Sequence, residues 1–250
     1  MSSDKKSKAA TEDRHARLAA IRRQAEREQA RRRLIRRIGI AAGVLVLTGG
    51  VVGGAIAAHS GGKSSSASAA ATKTDSVKNI PTAALTQVKG AATSPPWAAP
   101  ADVATRVETA GLPMLGAEGQ VEHIHAHLDV IVNGKAVTVP ALIGIDEAGQ
   151  QISPLHTHDT SGVIHIESPK QADFTLGQVM TEWNVALTKD SIGGLKAGNG
   201  NELHVYVNGT EQSGNPGAIK LAAHREIAVV YGKASDKVTV PSSYEFPSGE

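Results

Sequence analysis

Histidine is the residue type in this sequence with the most chemistry to offer. Ten histidines are present and cysteine is absent, and eight of the ten lie between His123 and His224. Imidazole nitrogen binds divalent transition metals and exchanges protons near neutral pH. Because the chain has no thiolate, a metal site must be built from imidazole, carboxylate or backbone oxygen.

Three of these histidines alternate with apolar residues in the segment EHIHAHLDV. Side chains on a β-strand alternate between its two faces, so His123, His125 and His127 share one face with Asp129. The opposite face is apolar and would pack on a core. The segment therefore predicts a strand that presents a row of potential metal ligands.

A second group of histidines lies in SPLHTHDTSGVIHIES, where turn formers at 159–162 join two extended runs. The register of this hairpin places His156 opposite His165, at a Cβ separation of about 5 Å, and His158 shares the face of His156. Three imidazoles can then surround one ion at metal–nitrogen distances of about 2.0–2.1 Å. The two segments together predict six metal ligands, in one site or in two: His123, His125, His127, His156, His158 and His165.

Other residues near these motifs have several interpretations. Four acidic residues could be ligands, partners that orient imidazole N–H groups, or turn and surface residues: Glu122, Asp129, Asp159 and Glu167. His204 and His224 have no second imidazole close by in the sequence, which favours surface or hydrogen-bonded core roles. For the whole cluster, the alternative without metal is the solvated face of an amphipathic strand.

The ligand chemistry restricts the metal. A histidine site without thiolate suits Zn²⁺, Cu²⁺, Ni²⁺ or non-haem iron and disfavours Cu⁺, which prefers sulfur ligands. The absence of cysteine excludes a blue-copper site. We therefore expect a divalent transition metal as cofactor, zinc or copper(II) in the first place.

Turn signals divide the chain after residue 101 into hairpins that would position the histidines. An Asn-Gly turn at 133–134 predicts the pairs Val132 with Lys135, Val130 with Val137, and Leu128 with Val139. A second Asn-Gly turn at 208–209 ends the strand ELHVYV. The nearly unbroken apolar run at 226–231 predicts a central strand.

One helix is predicted in TLGQVMTEW. Thr175 and Gln178 have the spacing of a capping box, and an apolar stripe follows at helical spacing, with Met180 as a core residue. The order of hairpins, helix and strands predicts an α+β domain, with a small mixed or antiparallel sheet and one packed helix. This arrangement resembles the β-grasp fold with the histidine hairpin inserted, a likeness that does not define function.

Charge divides the chain into two regions. Residues 1–37 carry a net charge of +8, whereas residues 101–250 carry −9. The basic segment fits a cytoplasmic location beside anionic lipid headgroups. The acidic domain argues against nucleic acid as a partner, because nucleic-acid binding depends on positive charge.

An apolar segment at 38–58 is long enough to cross a bilayer as a helix, at about 1.5 Å per residue. The arginines before it predict a single-pass protein of the cell membrane, with a cytoplasmic N-terminus and an extracytoplasmic domain at 101–250. Residues 59–100 read as a flexible linker rich in Ala, Ser and Pro. Glycines spaced four apart in the apolar segment would allow a homodimer through the membrane helix. The alternative is a cleaved export signal, with RRRLIR as a twin-arginine motif and Ala55-Ile56-Ala57 as the cleavage site.

The strings HIHAHLDVIVNGKAVTVP, SPLHTHDTSGVIHIES, FTLGQVMTEW and HREIAVVYG resemble a family of uncharacterised exported or membrane-anchored bacterial and archaeal proteins with HxHxHLDV and LHTHDTSG motifs. The match covers about residues 121–232. The resemblance implies that these segments form one exported domain, and it implies no particular activity.

Three functions fit these patterns. The first is a membrane-anchored extracytoplasmic metal-binding domain with a histidine cluster. The second is a metal-dependent hydrolase or hydratase, in which three histidines hold the ion and Glu122, Asp159 or Glu167 is the general base. The third is a pH-responsive interaction module without metal, because histidine titrates near pH 6.5. No Ser/His/Asp nucleophile motif or phosphate-binding loop is apparent in the sequence.

Overall fold

The computed structural model of the chain describes residues 80–236 and 238–247. These residues belong to one compact unit, Lys63–Glu250. No helix in this described part is long and apolar enough to cross a bilayer. The segments 1–37 and 38–58 lie outside the described residues, so their cytoplasmic and transmembrane roles stay predictions.

The first hairpin forms around its Asn-Gly turn. Strand β1 (Glu122–Val132) runs through the first histidine motif, and β2 (Lys135–Val137) folds back on it. Asn133 and Gly134 have φ angles of 51° and 72°, the left-handed values that a two-residue turn between twisted strands requires. Two predicted pairs are confirmed: Val130 with Val137, and Val132 with Lys135.

The third pair predicted for this hairpin, Leu128 with Val139, does not form. Strand β2 ends at Val137, and the backbone N–H of Leu128 donates to the carbonyl of Gly162 at 3.0 Å. Strand β6 (Val163–Ser168) lies on this same edge of β1 and pairs with the first half of β1. One edge of β1 therefore carries two partner strands, which is how the second histidine motif reaches the first.

The remaining strands are short, apart from two near the end of the chain. In chain order they are β3 (Ile145–Asp146), β4 (Gln151–Ile152), β5 (Leu155–His156), β7 (Leu187–Thr188), β8 (Ser191–Ile192), β9 (Leu195–Lys196), β10 (Asn201–Val207), β11 (Thr210–Gln212) and β12 (Arg225–Lys233). Strands β3 and β4 form a separate pair, and β7, β8 and β9 form a small sheet.

The main sheet has the strand order β11-β10-β12-β1-β6-β5, with β2 also paired to β1. Strands β1 and β12 are parallel, and the other neighbours described in this sheet are antiparallel. The apolar run predicted to be a central strand is β12, which lies between β10 and β1. The predicted α+β class with a mixed sheet is confirmed, and the order β2-β1-β12-β10 is compatible with a β-grasp arrangement.

The described residues contain two α-helices where the sequence predicted one: α1 (Val103–Thr109) and α2 (Leu176–Glu182). At the start of α2, the hydroxyl of Thr175 accepts from the backbone N–H of Gln178, whose side chain accepts from the N–H of Thr175. The predicted capping box is therefore confirmed. Helix α1 has only two turns and one buried residue, Val107, which explains why its apolar pattern is too weak to predict it.

The core lies between α2 and the apolar face of the sheet. Ala126, Leu128 and Val130 of β1 are at most 1% exposed, and they share one apolar cluster with side chains of α2. Met180 is fully buried in that cluster, as predicted. Because β1 is pleated, burial of these even-numbered side chains turns the odd-numbered histidines to the opposite face.

Residues 80–100, which the sequence assigned to the linker, pack on this core. Ile80 and Trp97 are buried, and the ring of Trp97 meets that of Trp183 edge to face at 5.8 Å. The backbone N–H of Ala91 donates to the carbonyl of Asn184 just after α2. The folded region thus begins before residue 101. The apolar side chains of residues 80–100 are scattered without a period, and they fill gaps in a core formed by other elements.

Candidate metal centre

The histidine face of the sheet joins β1, β6 and β5 in one row. His125 lies opposite His165 on the neighbouring strand, and His165 lies opposite His156 on the next. The predicted register of the second hairpin is therefore confirmed. His165 lies in the middle, with the ring centroids of His125, His156 and His158 between 4.5 and 5.2 Å away.

The carboxylate of Glu167 lies among the imidazoles on this face of the sheet. Its Oε1 is 3.2 Å from Nδ1 of His165 and 3.4 Å from Nε2 of His123. The same oxygen is 3.9 Å from Nε2 of His156, which is 3.1 Å from Nε2 of His158. In a tetrahedral site with bonds of about 2.0–2.1 Å, neighbouring ligand atoms are roughly 3.3 Å apart. The atoms around Glu167 therefore have spacings close to those of ligands around an ion.

Two groups of potential ligands share Glu167. One consists of His156, His158, His165 and Glu167, and the other of His123, His125 and Glu167. Within each group, one ligand atom from every residue lies within 4.8 Å of the others. These largely buried groups of histidine and glutamate could hold a metal ion, and they fit the thiolate-free site that the sequence predicts.

The ring of His156 is oriented by the backbone. Its Nδ1–H donates to the carbonyl of Ser153 at 3.0 Å, which leaves the lone pair of Nε2 directed at His158 and Glu167. The hydroxyl of Ser153 donates in turn to the buried carboxyl of Glu182 at 2.6 Å. Metal-binding histidines are commonly held in this way, because a hydrogen bond at one nitrogen sets the tautomer of the other.

Burial keeps two of these imidazoles neutral. Burial, assisted by the positive charge that His165 would carry, lowers the pKa of His125 to about 4. Burial also holds the pKa of His156 well below its usual value, assisted by the neighbouring His158. A metal ion binds the neutral ring, so these side chains are ready to act as ligands at neutral pH.

Glu118 is a member of the site that the sequence analysis missed. Its Oε1 lies 3.7 Å from Nε2 of His158, and its carboxyl group contacts that of Glu167. Burial raises the pKa of both carboxyl groups, and the charge of Glu167 raises that of Glu118 further. Glu118 lies in the loop before β1, outside both histidine motifs, and nothing in its local sequence distinguishes it from other surface acids.

The second carboxylate oxygen of Glu167, Oε2, is buried, and the side chain is 3% exposed. Like one oxygen each of Glu182 and Glu226, it has no hydrogen-bond partner among the described residues. A buried polar atom without a partner normally destabilises a fold, so such atoms are rare. Its position beside five imidazoles is consistent with a cation as the missing partner.

His127, the sixth predicted ligand, lies apart from Glu167. Its Nδ1 is 2.7 Å from Oε2 of Glu226, and its Nε2–H donates to the carbonyl of Ser161 at 2.8 Å. Together with Asp129 and Glu226 it forms a third group of potential ligands. Both ring nitrogens already have partners, which sets His127 apart from the ligands grouped around Glu167.

The surroundings of His127 raise its pKa, whereas those of His125 lower its pKa. Burial lowers the pKa of His127, but the hydrogen bond and the charge of Glu226 outweigh it and raise the pKa overall. Burial raises the pKa of Glu226 by more than the hydrogen bond from His127 lowers it. The two groups therefore titrate as one unit and share a proton across the 2.7 Å contact. Tyr244 stacks on the His127 ring at 3.8 Å between centroids.

The side chain of His224 is exposed, which agrees with the predicted surface role, although its backbone lies beside that of His125. The backbone N–H of His224 donates to the carbonyl of His125 at 2.7 Å, and its charged form would lower the pKa of His125. The parallel pairing of β1 with β12 creates this proximity. His204 also has the predicted surface role, because it lies half-exposed between the carboxylates of Glu202 and Glu211.

The acidic residues considered as ligands or general bases have different roles in the structure. Glu122 lies on the apolar side of β1, where its carboxylate accepts from the backbone N–H of Ala172. Asp159 accepts from the backbone N–H of Ser161 and acts as a turn former. Of the three residues considered as a general base, only Glu167 is among the ligands around the histidine row.

Comparison of the chain with protein-family models, curated proteins and solved structures finds no match in any of the three. The resemblance drawn from the histidine motifs therefore stays a prediction.

Proposed function

We propose that this protein is a membrane-anchored extracytoplasmic metal-binding domain. The ion is a divalent transition metal, Zn²⁺ or Cu²⁺, and its ligands are His156, His158, His165 and Glu167. The observation that carries the proposal is the convergence of three imidazoles and a buried carboxylate at ligand spacing. The hydrogen bond that fixes the His156 tautomer supports it.

The proposed location rests on the sequence before the domain. The arginine-flanked apolar segment at 38–58 supports a membrane anchor with the domain outside. Its glycine spacing supports a homodimer through the membrane helix. The same motifs support membership of the exported or membrane-anchored family that the sequence resembles. The acidic domain, with a net charge of −9 over residues 101–250, disfavours nucleic acid as a partner.

Metal analysis of the full chain in detergent tests this proposal. We expect the purified protein to retain Zn²⁺ after dialysis and a His158→Ala variant to bind it at least about tenfold more weakly. His204→Ala is the matched control, because it removes a histidine from the same sheet outside the ligand groups. Wild-type affinity in the His158 variant, or no bound metal in the unaltered chain, would contradict the proposal.

A metal-dependent hydrolase is the second candidate, and Glu118 is the observation that favours it. Glu118 is partly exposed, lies beside the ligand His158 and has a raised pKa, as a group that accepts a proton from metal-bound water should. A panel of ester, amide and phosphoester substrates tests this alternative. We expect Glu118→Gln to abolish any Zn²⁺-dependent turnover and to retain the metal. Equal turnover in this variant would remove Glu118 as the base.

A further inference from the structure

The site around Glu167 contains more ligands than one ion needs. A tetrahedral ion takes four ligands, and His156, His158, His165 and Glu167 supply them. His123 and His125 then remain, with ring centroids 5.2 Å apart at an angle of 66°. Their ligand atoms form a set of their own with Glu167.

Glu167 is the residue that belongs to both sets. A carboxylate has two oxygens and can bind one ion through each. The Oε1 atom lies among His123, His156 and His165, and the Oε2 atom is buried without a hydrogen-bond partner among the described residues. A second cation would satisfy the oxygen that a single ion bound to Oε1 leaves unpaired.

The five imidazoles around Glu167 divide between the two sets without overlap. His156, His158 and His165 belong to the first set, and His123 and His125 belong to the second. Two ions would therefore use all five imidazoles, with Glu167 as the common ligand.

We propose that Glu167 bridges two metal ions, the second of which is held by His123 and His125. This inference rests on the proposed function, because it adds a second ion to the first site. The second ion has three protein ligands and lies beside His123, whose side chain is 45% exposed. It therefore keeps a position open to solvent and exchanges faster than the first ion.

Stoichiometry in the unaltered chain is the primary test. Full-length protein in detergent is titrated with Cu²⁺ alone, and bound copper is counted after dialysis. We expect two ions per chain, with electron paramagnetic resonance showing the strong magnetic coupling of ions about 4 Å apart, the usual spacing in two-metal sites. His123→Ala should bind one ion and show an isolated Cu²⁺ signal, and the exposed position of His123 should leave the fold intact.

Each alternative result distinguishes the two proposals. A single ion per chain that His158→Ala removes and His123→Ala leaves unchanged overturns the second ion and preserves the first site. Two uncoupled ions, one of which is lost in Asp129→Asn, place the second ion in the His127 group and overturn the bridge. No bound copper in the unaltered chain overturns both proposals. The control His204→Ala should match the unaltered chain in stoichiometry and coupling.

Discussion

His125 and His127 lie two residues apart on the same face of the same strand, yet their surroundings give them opposite properties. His125 faces other imidazoles, and burial with their repulsion lowers its pKa to about 4. His127 faces Glu226, which raises its pKa in spite of burial. The first is a neutral ring with one unprotonated nitrogen that can bind a metal, and the second is one half of a buried acid–base pair.

The neighbouring strands create this difference. On one edge of β1, His125 pairs with His165 of β6, and on the other edge His127 pairs with Glu226 of β12. Gly162 supports the second environment, because a Cβ there would lie 2.9 Å from Nε2 of His127. The side chain across the ladder thus decides whether a strand histidine becomes a ligand or a structural partner.

The largest change in stability should come from breaking the pair of His127 and Glu226. Glu226 is fully buried, so Glu226→Ala leaves a buried imidazole without its acid and should lower the free energy of unfolding of metal-free protein by about 3 to 5 kcal/mol. Urea denaturation measures it. The control Glu211→Ala removes the partner of a half-exposed histidine and should change stability by less than about 1 kcal/mol. Equal losses in the two variants would show that burial of the pair has no consequence.

Metal binding should stabilise the fold through the ligand groups that share Glu167. At a free Zn²⁺ concentration about 100 times the dissociation constant, binding adds about 3 kcal/mol to the free energy of unfolding, and a chelator reverses this. His158→Ala should lose most of the increment. Glu226→Ala should retain it, because the His127 pair lies outside the ligand sets around Glu167. Loss of the increment in Glu226→Ala would show that the two regions are coupled.

The two histidines should also give stability opposite dependences on pH in metal-free protein. Because the folded pKa of His125 is below the unfolded value, its protonation in the unfolded chain lowers stability as pH falls from about 6.5 towards about 4. The folded pKa of His127 is above the unfolded value, so its contribution is complete below about pH 6.5 and is lost as pH rises through the folded pKa.

Each slope should be at most about 1.4 kcal/mol per pH unit, the limit for one proton. Denaturation curves of His125→Asn and His127→Asn, measured from pH 4 to pH 9, isolate the two contributions. Slopes of the same sign would contradict the difference between the two environments.

The smallest effect should come from Tyr244, whose ring lies on His127. Tyr244→Ala removes the stacking on a ring that shares a proton with Glu226 and should destabilise the fold by about 1 kcal/mol. It should also lower the pKa of His127, which NMR titration of its ring protons measures. The cluster around Glu167 should keep its metal affinity, and a change there would show that the C-terminal segment contributes to both regions.

Local patterns accounted for much of the fold and for part of the candidate site. The alternation in β1, the Asn-Gly turns and the capping box at Thr175 depend on neighbouring residues alone, so they could be predicted. The pairing of His156 with His165 followed from one local hairpin. The role of residues 80–100 and helix α1 could not be predicted, because their apolar side chains are too sparse to show a period.

The sequence by itself determined which histidines share a face and which pair within a hairpin. Only the tertiary structure decided which distant groups meet them. Glu226 reaches His127 across 99 residues of sequence, the backbone N–H of His224 donates to the carbonyl of His125, and Glu118 approaches His158 from a loop. Turns and strand faces arise from backbone geometry within a few residues. The parallel pairing of β1 with β12 forms only when distant segments pack together around the core. The chemistry of each histidine in this protein depends on that second, non-local step.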